Sequence, residues 1–167
     1  MNNQPIASRP EVPGYGIPES DEGLLPWSAV VERLQTALNY WIATVDPKGR
    51  PHATPVWGVW LEGVLYFDGS PQTRRGRNLA TNPAVVVHLE SGDQVIILQG
   101  EAYELRAAPL DLRQKLAAAY TAKYVGKGYV AEPDNWKSGG LYSVNLRQAF
   151  AWTHFPQDAT RWRFEST

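Results

Sequence analysis

Short segments rich in β-branched and aromatic residues, each followed by a tight turn, recur along most of this 167-residue chain. Residues 40–45 end at the turn Asp46-Pro47-Lys48-Gly49, and residues 51–60 then form the returning strand of a hairpin. Further strands are predicted at 64–68, 84–90, 94–104, 141–147, 150–153 and 161–164. About six or seven of these segments, linked mostly by hairpins, would close most readily into a small antiparallel barrel, so the sequence predicts a mainly β fold.

Two or three helices are expected on the outside of this barrel. Apolar residues recur at helical spacing over residues 27–38 and over residues 109–124, and a helical insert follows the strand at 64–68. Residues 1–25 contain too many Pro and Gly for regular structure, which predicts an N-terminal arm. The remaining residues, 26–167, are expected to form a single domain.

Composition excludes several kinds of chemistry. The chain has no Cys, which excludes disulfides, thiol nucleophiles and thiolate metal sites. His52, His88 and His154 lie far apart, without the spacing of a metal site or a catalytic triad, so no metal is expected. The glycine motifs of Rossmann and P-loop proteins are absent as well.

Charge and hydropathy also bear on partners and location. A formal net charge of −1 gives no field that attracts nucleic acid or an anionic membrane, so neither partner is expected. No apolar stretch reaches the length of a membrane span, and the first residues lack the basic and apolar regions of a signal peptide. We therefore expect a cytoplasmic protein.

The segment most informative about function is residues 70–79, Ser-Pro-Gln-Thr-Arg-Arg-Gly-Arg-Asn-Leu. We interpret it as the start of a short helix with Ser70 as its cap and Pro71 in its first position. Its three arginines and Asn78 then fall on about half of the helix circumference. Arginines beside a helix N-terminus match a phosphate group, whereas a solvated basic face is the alternative interpretation.

The strand at 51–60 is a second candidate for binding. Alternation puts Ala53, Pro55, Trp57 and Val59 on one face, and Pro55 cannot donate a hydrogen bond to a neighbouring strand. A flat apolar wall of this kind would suit a planar ring whose polar edge bonds to backbone groups. A plain core strand is the alternative.

The order of these motifs resembles the pyridoxamine 5′-phosphate oxidase-like superfamily of flavin and deazaflavin split barrels. The matching features, between residues 40 and 105, are the hairpin at 43–51, Pro55-Val56-Trp57, Leu65-Tyr66-Phe67, Thr73-Arg74-Arg75, Arg77-Asn78-Leu79, Asn82-Pro83 and residues 94–100. The resemblance implies a β-barrel with flanking helices, namely a six- to seven-stranded antiparallel split barrel of the FMN-binding type. It also implies a homodimer with the cofactor at the subunit interface.

The resemblance assigns site residues where the motifs match. Thr73-Arg74-Arg75 resembles the Ser-Arg-Lys triplet with which the oxidases grip the flavin phosphate, and Gln94 occupies the position of a flavin-contacting Gln. Trp152 and Arg161 resemble a pair that the partner subunit contributes. The cofactor-binding residues implied in this way are Pro55, Val56, Trp57, Tyr66, Phe67, Asp68, Ser70, Thr73, Arg74, Arg75, Asn78, Gln94, Trp152 and Arg161.

Departures from the oxidases narrow the expected function. The Arg and Lys that the oxidases carry on the strand behind the flavin are replaced here by the apolar run at 54–59, and their C-terminal Arg and His arrangement is missing. Vitamin B6 oxidation is therefore not expected, and the branch that uses FMN or coenzyme F-420 is closer. The resemblance implies an oxidoreductase that transfers a hydride between FMN or F-420 and a small organic substrate, with no catalytic side chain assigned. A non-catalytic carrier of flavin, deazaflavin or haem remains open, as does an interaction module with a vestigial pocket.

Overall fold

A computed structural model describes residues 5–165, most of which form one antiparallel sheet with helices against it. Within these residues the strands are β1 (Ile6–Ser8), β2 (Tyr40–Val45), β3 (Pro51–Val56), β4 (Gly58–Leu61), β5 (Val64–Asp68), β6 (Ala84–His88), β7 (Val95–Glu104), β8 (Leu141–Trp152) and β9 (Thr160–Arg163). The helices are α1 (Trp27–Thr36), α2 (Arg74–Thr81) and α3 (Leu110–Tyr124), and single 3-10 turns follow at Val125–Lys127 and Pro133–Trp136.

The strand order is β1-β9-β8-β7-β6-β2-β3, with every pair antiparallel. β4 pairs with β5, and β5 pairs with the first part of β8. Trp57 alone separates β3 from β4, so one run of chain pairs with β2 at one end of the sheet and with β5 at the other. The hydrogen-bonded sheet is not closed, and the predicted mainly antiparallel split barrel with flanking helices is confirmed.

The N-terminal arm contains a strand that the sequence does not predict. β1 pairs with β9, where Ile6 lies opposite Arg163. Arg9 then donates to the carbonyls of Gln157 and Ala159 at 2.8 and 3.1 Å, which holds the next part of the arm against the same hairpin. The expectation of no regular structure is wrong here because the unpaired edge of β9 offers backbone groups that a short strand can satisfy.

Two predicted boundaries within the sheet differ from the structure. Residues 51–60 form two strands rather than one, and the separate segments at 141–147 and 150–153 are a single strand, β8. β8 keeps its pairing with β7 across a register shift next to Gly100. A Cβ at Gly100 would stand 2.1 Å from the carbonyl oxygen of Asn145, so this close approach of the two strands requires glycine.

Two apolar clusters form the core. The first lies inside the barrel, where α1 and the inward, alternating positions of the strands bury Leu34, Ile42, Phe67, Leu98 and Trp162. The second lies where α3 packs against β4 and the outer side of the barrel. Its largest buried members are Leu116, Tyr120, Tyr124, Trp136 and Leu141.

None of the helices within residues 5–165 combines the length and the apolar character that crossing a lipid bilayer requires.

Candidate functional site

Helix α2 follows β5 and carries the residues from which the sequence predicts a phosphate site. Its N-cap is Thr73, whose hydroxyl accepts a hydrogen bond from the backbone N–H of Gly76 at 3.1 Å. Ser70 lies in the preceding turn, where its hydroxyl accepts from the N–H of Gln72 at 3.2 Å. The prediction of a cap at Ser70 and a first helical position at Pro71 is therefore wrong, because both residues belong to the turn that leads into the helix.

Arg75 is enclosed between this helix and the sheet. Its Nη1 donates to the hydroxyl of Thr54 at 2.9 Å, and its guanidinium carbon lies 5.6 Å from the centroid of the Phe67 ring. A Cβ at Gly69 would stand 2.5 Å from Nη2, so the missing side chain leaves room for the guanidinium. Burial lowers the pKa of Arg75. Thr54 uses one of five N–H donors, which leaves others for a ligand.

Arg74 extends from the first turn of α2, and 47% of its side chain is exposed. The nearest carboxylate oxygen is Oδ2 of Asp46 at 3.7 Å. That carboxylate already accepts hydrogen bonds from the backbone N–H and from Nε of Arg50, which lower the pKa of Asp46. Arg77 donates instead to the carbonyl of Gln72. Arg74 is therefore available to an anionic ligand at little loss of protein contacts.

Asn78 is on the side of α2 that packs against the sheet, with only 3% of its surface exposed. Its Nδ2 donates to the hydroxyl of Thr44 at 3.0 Å, and Thr44 is on the buried face of β2. This bond attaches α2 to the sheet. A contact between Asn78 and a cofactor stays a prediction.

The end of β5 brings an aromatic pair and a carboxyl group close to α2. The ring of Phe67 is buried and stacks on Tyr142, with centroids 5.0 Å apart and planes 3° from parallel. Asp68 accepts a hydrogen bond from the indole nitrogen of Trp136 at 3.3 Å. Burial raises the pKa of Asp68, although the Trp136 bond and the charge of Arg75 oppose the rise.

A cavity of about 470 Å³ opens next to this carboxyl group. Its walls are residues 68–71, which include Asp68 and Ser70, and the loop at 135–140. Tyr66, on the same strand, faces α3, and its carbonyl accepts from the hydroxyl of Tyr120 at 3.5 Å. The cavity thus adjoins the start of α2, whereas Tyr66 lies on the side of the second core cluster.

The predicted apolar wall on residues 51–60 is not continuous. Ala53 and Pro55 are exposed, whereas Val59 is buried against α3. Trp57, at the break between β3 and β4, stacks on Tyr124 with centroids 4.5 Å apart and planes 7° from parallel. The alternation fails because the chain changes its pairing partner at Trp57. Val56, next to it, is part of the core inside the barrel.

Gln94, Trp152 and Arg161 lie in a different part of the sheet. Trp152 is opposite Val95, the residue after Gln94, and Arg161 is opposite Phe150 on the next strand. In the sheet order, β8, β7, β6 and β2 lie between β9 and β3. The fourteen predicted residues therefore form two groups within one chain. Only the first group, on β3, β5 and α2, adjoins the arginines.

A sequence profile of the pyridoxamine 5′-phosphate oxidase family matches residues 27–152, which extend from the start of α1 to the end of β8. The chain belongs to this family. No curated protein sequence matches it.

The solved structures with a similar fold include proteins of different kinds. A conserved hypothetical protein from Mycobacterium tuberculosis matches with a TM-score of 0.66 and 18% identity, over 81% of this chain and 89% of that one. A heme-binding protein from Mycobacterium smegmatis matches with a TM-score of 0.60 and 20% identity, over 81% of this chain but only 58% of that longer one. An F420 reductase matches with a TM-score of 0.54 and 24% identity, over 71% of this chain and 93% of that one. At these identities the likeness concerns the fold.

Sequence reasoning missed three residues that support the site of this family member. Thr54 holds Arg75, Thr44 holds Asn78, and Asp46 lies near Arg74. A signal for Thr44 and Thr54 was present, because both occupy inward positions of predicted strands, where a hydroxyl group needs a partner. For Asp46 the sequence predicts only a place in the turn at 46–49.

Proposed function

We propose that this member of the pyridoxamine 5′-phosphate oxidase family binds FMN, or alternatively F-420, and transfers a hydride between it and a small organic substrate. The observation that carries the proposal is the pair of arginines at the start of α2: Arg75 is anchored by Thr54, and Arg74 is half-exposed with an ion pair to Asp46 at 3.7 Å. Arginine forks match phosphate oxygens in pairs, and the N-terminus of a helix favours the same charge. These donors fit the phosphate end of a flavin mononucleotide.

The protein's own residues would bind and orient the cofactor. Arg74 and Arg75 would hold the phosphate, and the exposed Pro55 with its neighbours on β3 would lie along the ring. When bound, such a cofactor supplies the hydride chemistry, so the protein needs no nucleophile of its own. Residues of the sheet would then exclude water from the ring.

The cofactor would lie between two copies of the chain. Strand register aligns Pro55, Trp41, His88, Ile97 and Phe150 in one row on the outward face of the sheet. All five are exposed or half-buried, whereas most of their inward neighbours are buried. A concavity of about 660 Å³ lies beside this row. A largely apolar row of this length favours a protein partner, and a second copy would bring Gln94, Trp152 and Arg161 towards the arginines.

A non-catalytic carrier of flavin, deazaflavin or haem is the second candidate. The similarity in fold to a heme-binding protein favours it. A carrier would use the same cavity but would cover the ring, whereas an enzyme must leave space for a substrate above it.

The test is an absorption titration of the purified chain with FMN, F-420 and haemin in separate experiments, followed by turnover assays with candidate hydride acceptors. We expect saturable binding of FMN or F-420, weakened at least fivefold in Arg74→Ala. Arg106→Ala is the matched control, because Arg106 is also exposed and beside a carboxylate but lies outside α2. Binding of haemin alone would support the carrier. Binding of none of the three would contradict both candidates.

A further inference from the structure

Lys123 is a half-buried amine on the side of the molecule where α3 covers β4, away from α2. Its Nζ donates to the hydroxyl of Tyr40 at 2.7 Å and to the carbonyl of Gly58 at 3.0 Å. The same nitrogen lies 4.8 Å from the centroid of the Tyr40 ring. Among residues 5–165 no carboxylate lies within ion-pair distance of it.

The hydrogen bonds around Lys123 use two N–H donors, which is the number that a neutral amine carries. The hydroxyl of Tyr40 donates to the carbonyl of Leu34, so its oxygen can only accept from Lys123, and the carbonyl of Gly58 is an acceptor as well. A neutral amine has two N–H groups, and both are used here. An ammonium group would carry a third donor, which has no acceptor among the described residues and would have to bond to water.

Burial favours loss of the proton from Lys123, although the faces of the Tyr40 and Tyr124 rings beside it attract a cation. The titratable groups packed against it are the phenols of Tyr40, from β2, and of Tyr124, from its own helix. Burial raises the pKa of both phenols, that of Tyr124 to about 12, so both are neutral near pH 7. α1 contributes the uncharged Gln35 to the cavity wall. Burial lowers the pKa of Lys123 itself to about 8.

A cavity of about 300 Å³ is lined by this lysine. Apart from Gln35, its other walls are apolar: Val59, Trp60, Ala119 and Ala122. Such a space admits a small molecule without charge and offers nothing that would balance a phosphate or carboxylate group.

We propose that Lys123 is a nucleophilic amine that condenses with small, uncharged aldehydes in this cavity. The lone pair of Nζ adds to the carbonyl carbon, a proton moves from nitrogen to the carbonyl oxygen, and loss of one water leaves a C=N bond. No oxidant or reductant takes part. The site is separate from the proposed cofactor site and does not depend on it.

The experiment uses the full chain, benzaldehyde and sodium cyanoborohydride at pH 7, with peptide mass mapping of every lysine. At this pH a group with a pKa of about 8 is roughly one-tenth neutral, whereas an ordinary lysine is neutral in about one molecule in 2,500. We expect Lys123 to be alkylated at least ten times faster than Lys115. Lys115 is the internal control, since it is on the same helix, exposed and paired with Glu62 at 2.7 Å. Equal or slower labelling of Lys123 overturns the proposal.

Variants test whether the cavity delivers the aldehyde. Ala122→Leu fills part of the cavity from an exposed helix position and should lower labelling of Lys123 at least fivefold, with Lys115 unchanged. Ala118→Leu, at another exposed position of α3, should leave both rates unchanged. In the wild-type protein, an excess of benzyl alcohol should compete with labelling at Lys123 alone. Labelling insensitive to both Ala122→Leu and benzyl alcohol contradicts the site.

Discussion

The guanidinium of Arg75 and the hydroxyl of Thr54 are joined by a hydrogen bond of 2.9 Å that attaches α2 to β3. Arg74, one residue earlier, has no comparable bond to the sheet and lies 3.7 Å from its nearest carboxylate oxygen. Neighbouring arginines on one helix thus differ in structural role, and substitutions can separate that role from ligand binding.

Arg75→Ala should weaken both FMN binding and the fold. Loss of a charge-assisted bond to phosphate should reduce affinity by about 1–3 kcal/mol, and loss of the Thr54 bond should lower the free energy of unfolding by about 1 kcal/mol. Calorimetric titration and urea denaturation measure the two effects. Arg74→Ala is the comparison: it should lose affinity while its free energy of unfolding changes by less than about 0.5 kcal/mol. Unchanged FMN affinity in Arg75→Ala would remove the phosphate assignment.

Asn78→Ala should destabilise the protein whether or not a cofactor is present. It leaves the buried hydroxyl of Thr44 without its donor, which costs about 1–3 kcal/mol of the free energy of unfolding. Thr44→Val should cost a similar amount, and the double variant should cost less than the sum of the two, since each removes the same bond. Denaturation of the four proteins measures this coupling. Additive losses would show that the two side chains act independently.

The sequence was informative where local pattern decides structure. The hairpin from Tyr40–Val45 to Pro51–Val56 and strand Val64–Asp68 follow from turn residues and alternation that tertiary contacts do not override. Asn78 shows the limit: helical geometry correctly groups it near the arginines, but only packing of α2 against β2 decides that its amide is buried. Likewise, the β1 strand depends on an unpaired edge of β9 that lies more than 150 residues away in sequence.

Gly100→Ala should destabilise the pairing of β7 with β8. A methyl group there would stand 2.1 Å from the carbonyl oxygen of Asn145, so the strands must separate locally, at a cost of roughly 1–3 kcal/mol. Thermal or urea denaturation measures the loss. Gly92→Ala is the matched control, because no atom lies within 4 Å of its added methyl group. A Gly100→Ala protein as stable as Gly92→Ala would mean that the close approach of β7 and β8 does not require glycine.

Asp68→Asn should change how stability depends on pH. Burial raises the pKa of Asp68 above its unfolded value, so in the window between the two values the folded state binds the proton more tightly. The free energy of unfolding therefore falls, through this group, as pH rises from about 4 towards the folded pKa. The amide does not titrate and still accepts from Trp136, so the stability of Asp68→Asn relative to wild type should increase from pH 4 to pH 7. Urea denaturation at both pH values, without cofactor, measures it. If the stability of Asp68→Asn relative to wild type instead decreased from pH 4 to pH 7, the folded protein would favour the ionised carboxylate of Asp68.

Ile97→Glu should separate the proposed dimer. Ile97 lies in the middle of the outward row, between His88 and Phe150, and its side chain points away from the core in one chain. In the dimer, this carboxylate would be buried against the outward row of the second copy. Loss of its hydration would cost several kcal/mol of the free energy of association. Sedimentation should show a monomer with an unchanged circular dichroism spectrum, and FMN or F-420 binding should fall with the dimer because Gln94, Trp152 and Arg161 would no longer reach the arginines of the other copy.

Ala118→Glu, on the exposed side of α3, should remain dimeric and bind normally. A monomeric Ile97→Glu protein with full cofactor affinity would show that one chain forms the complete site, and a dimer that survives the substitution would move the interface to another face.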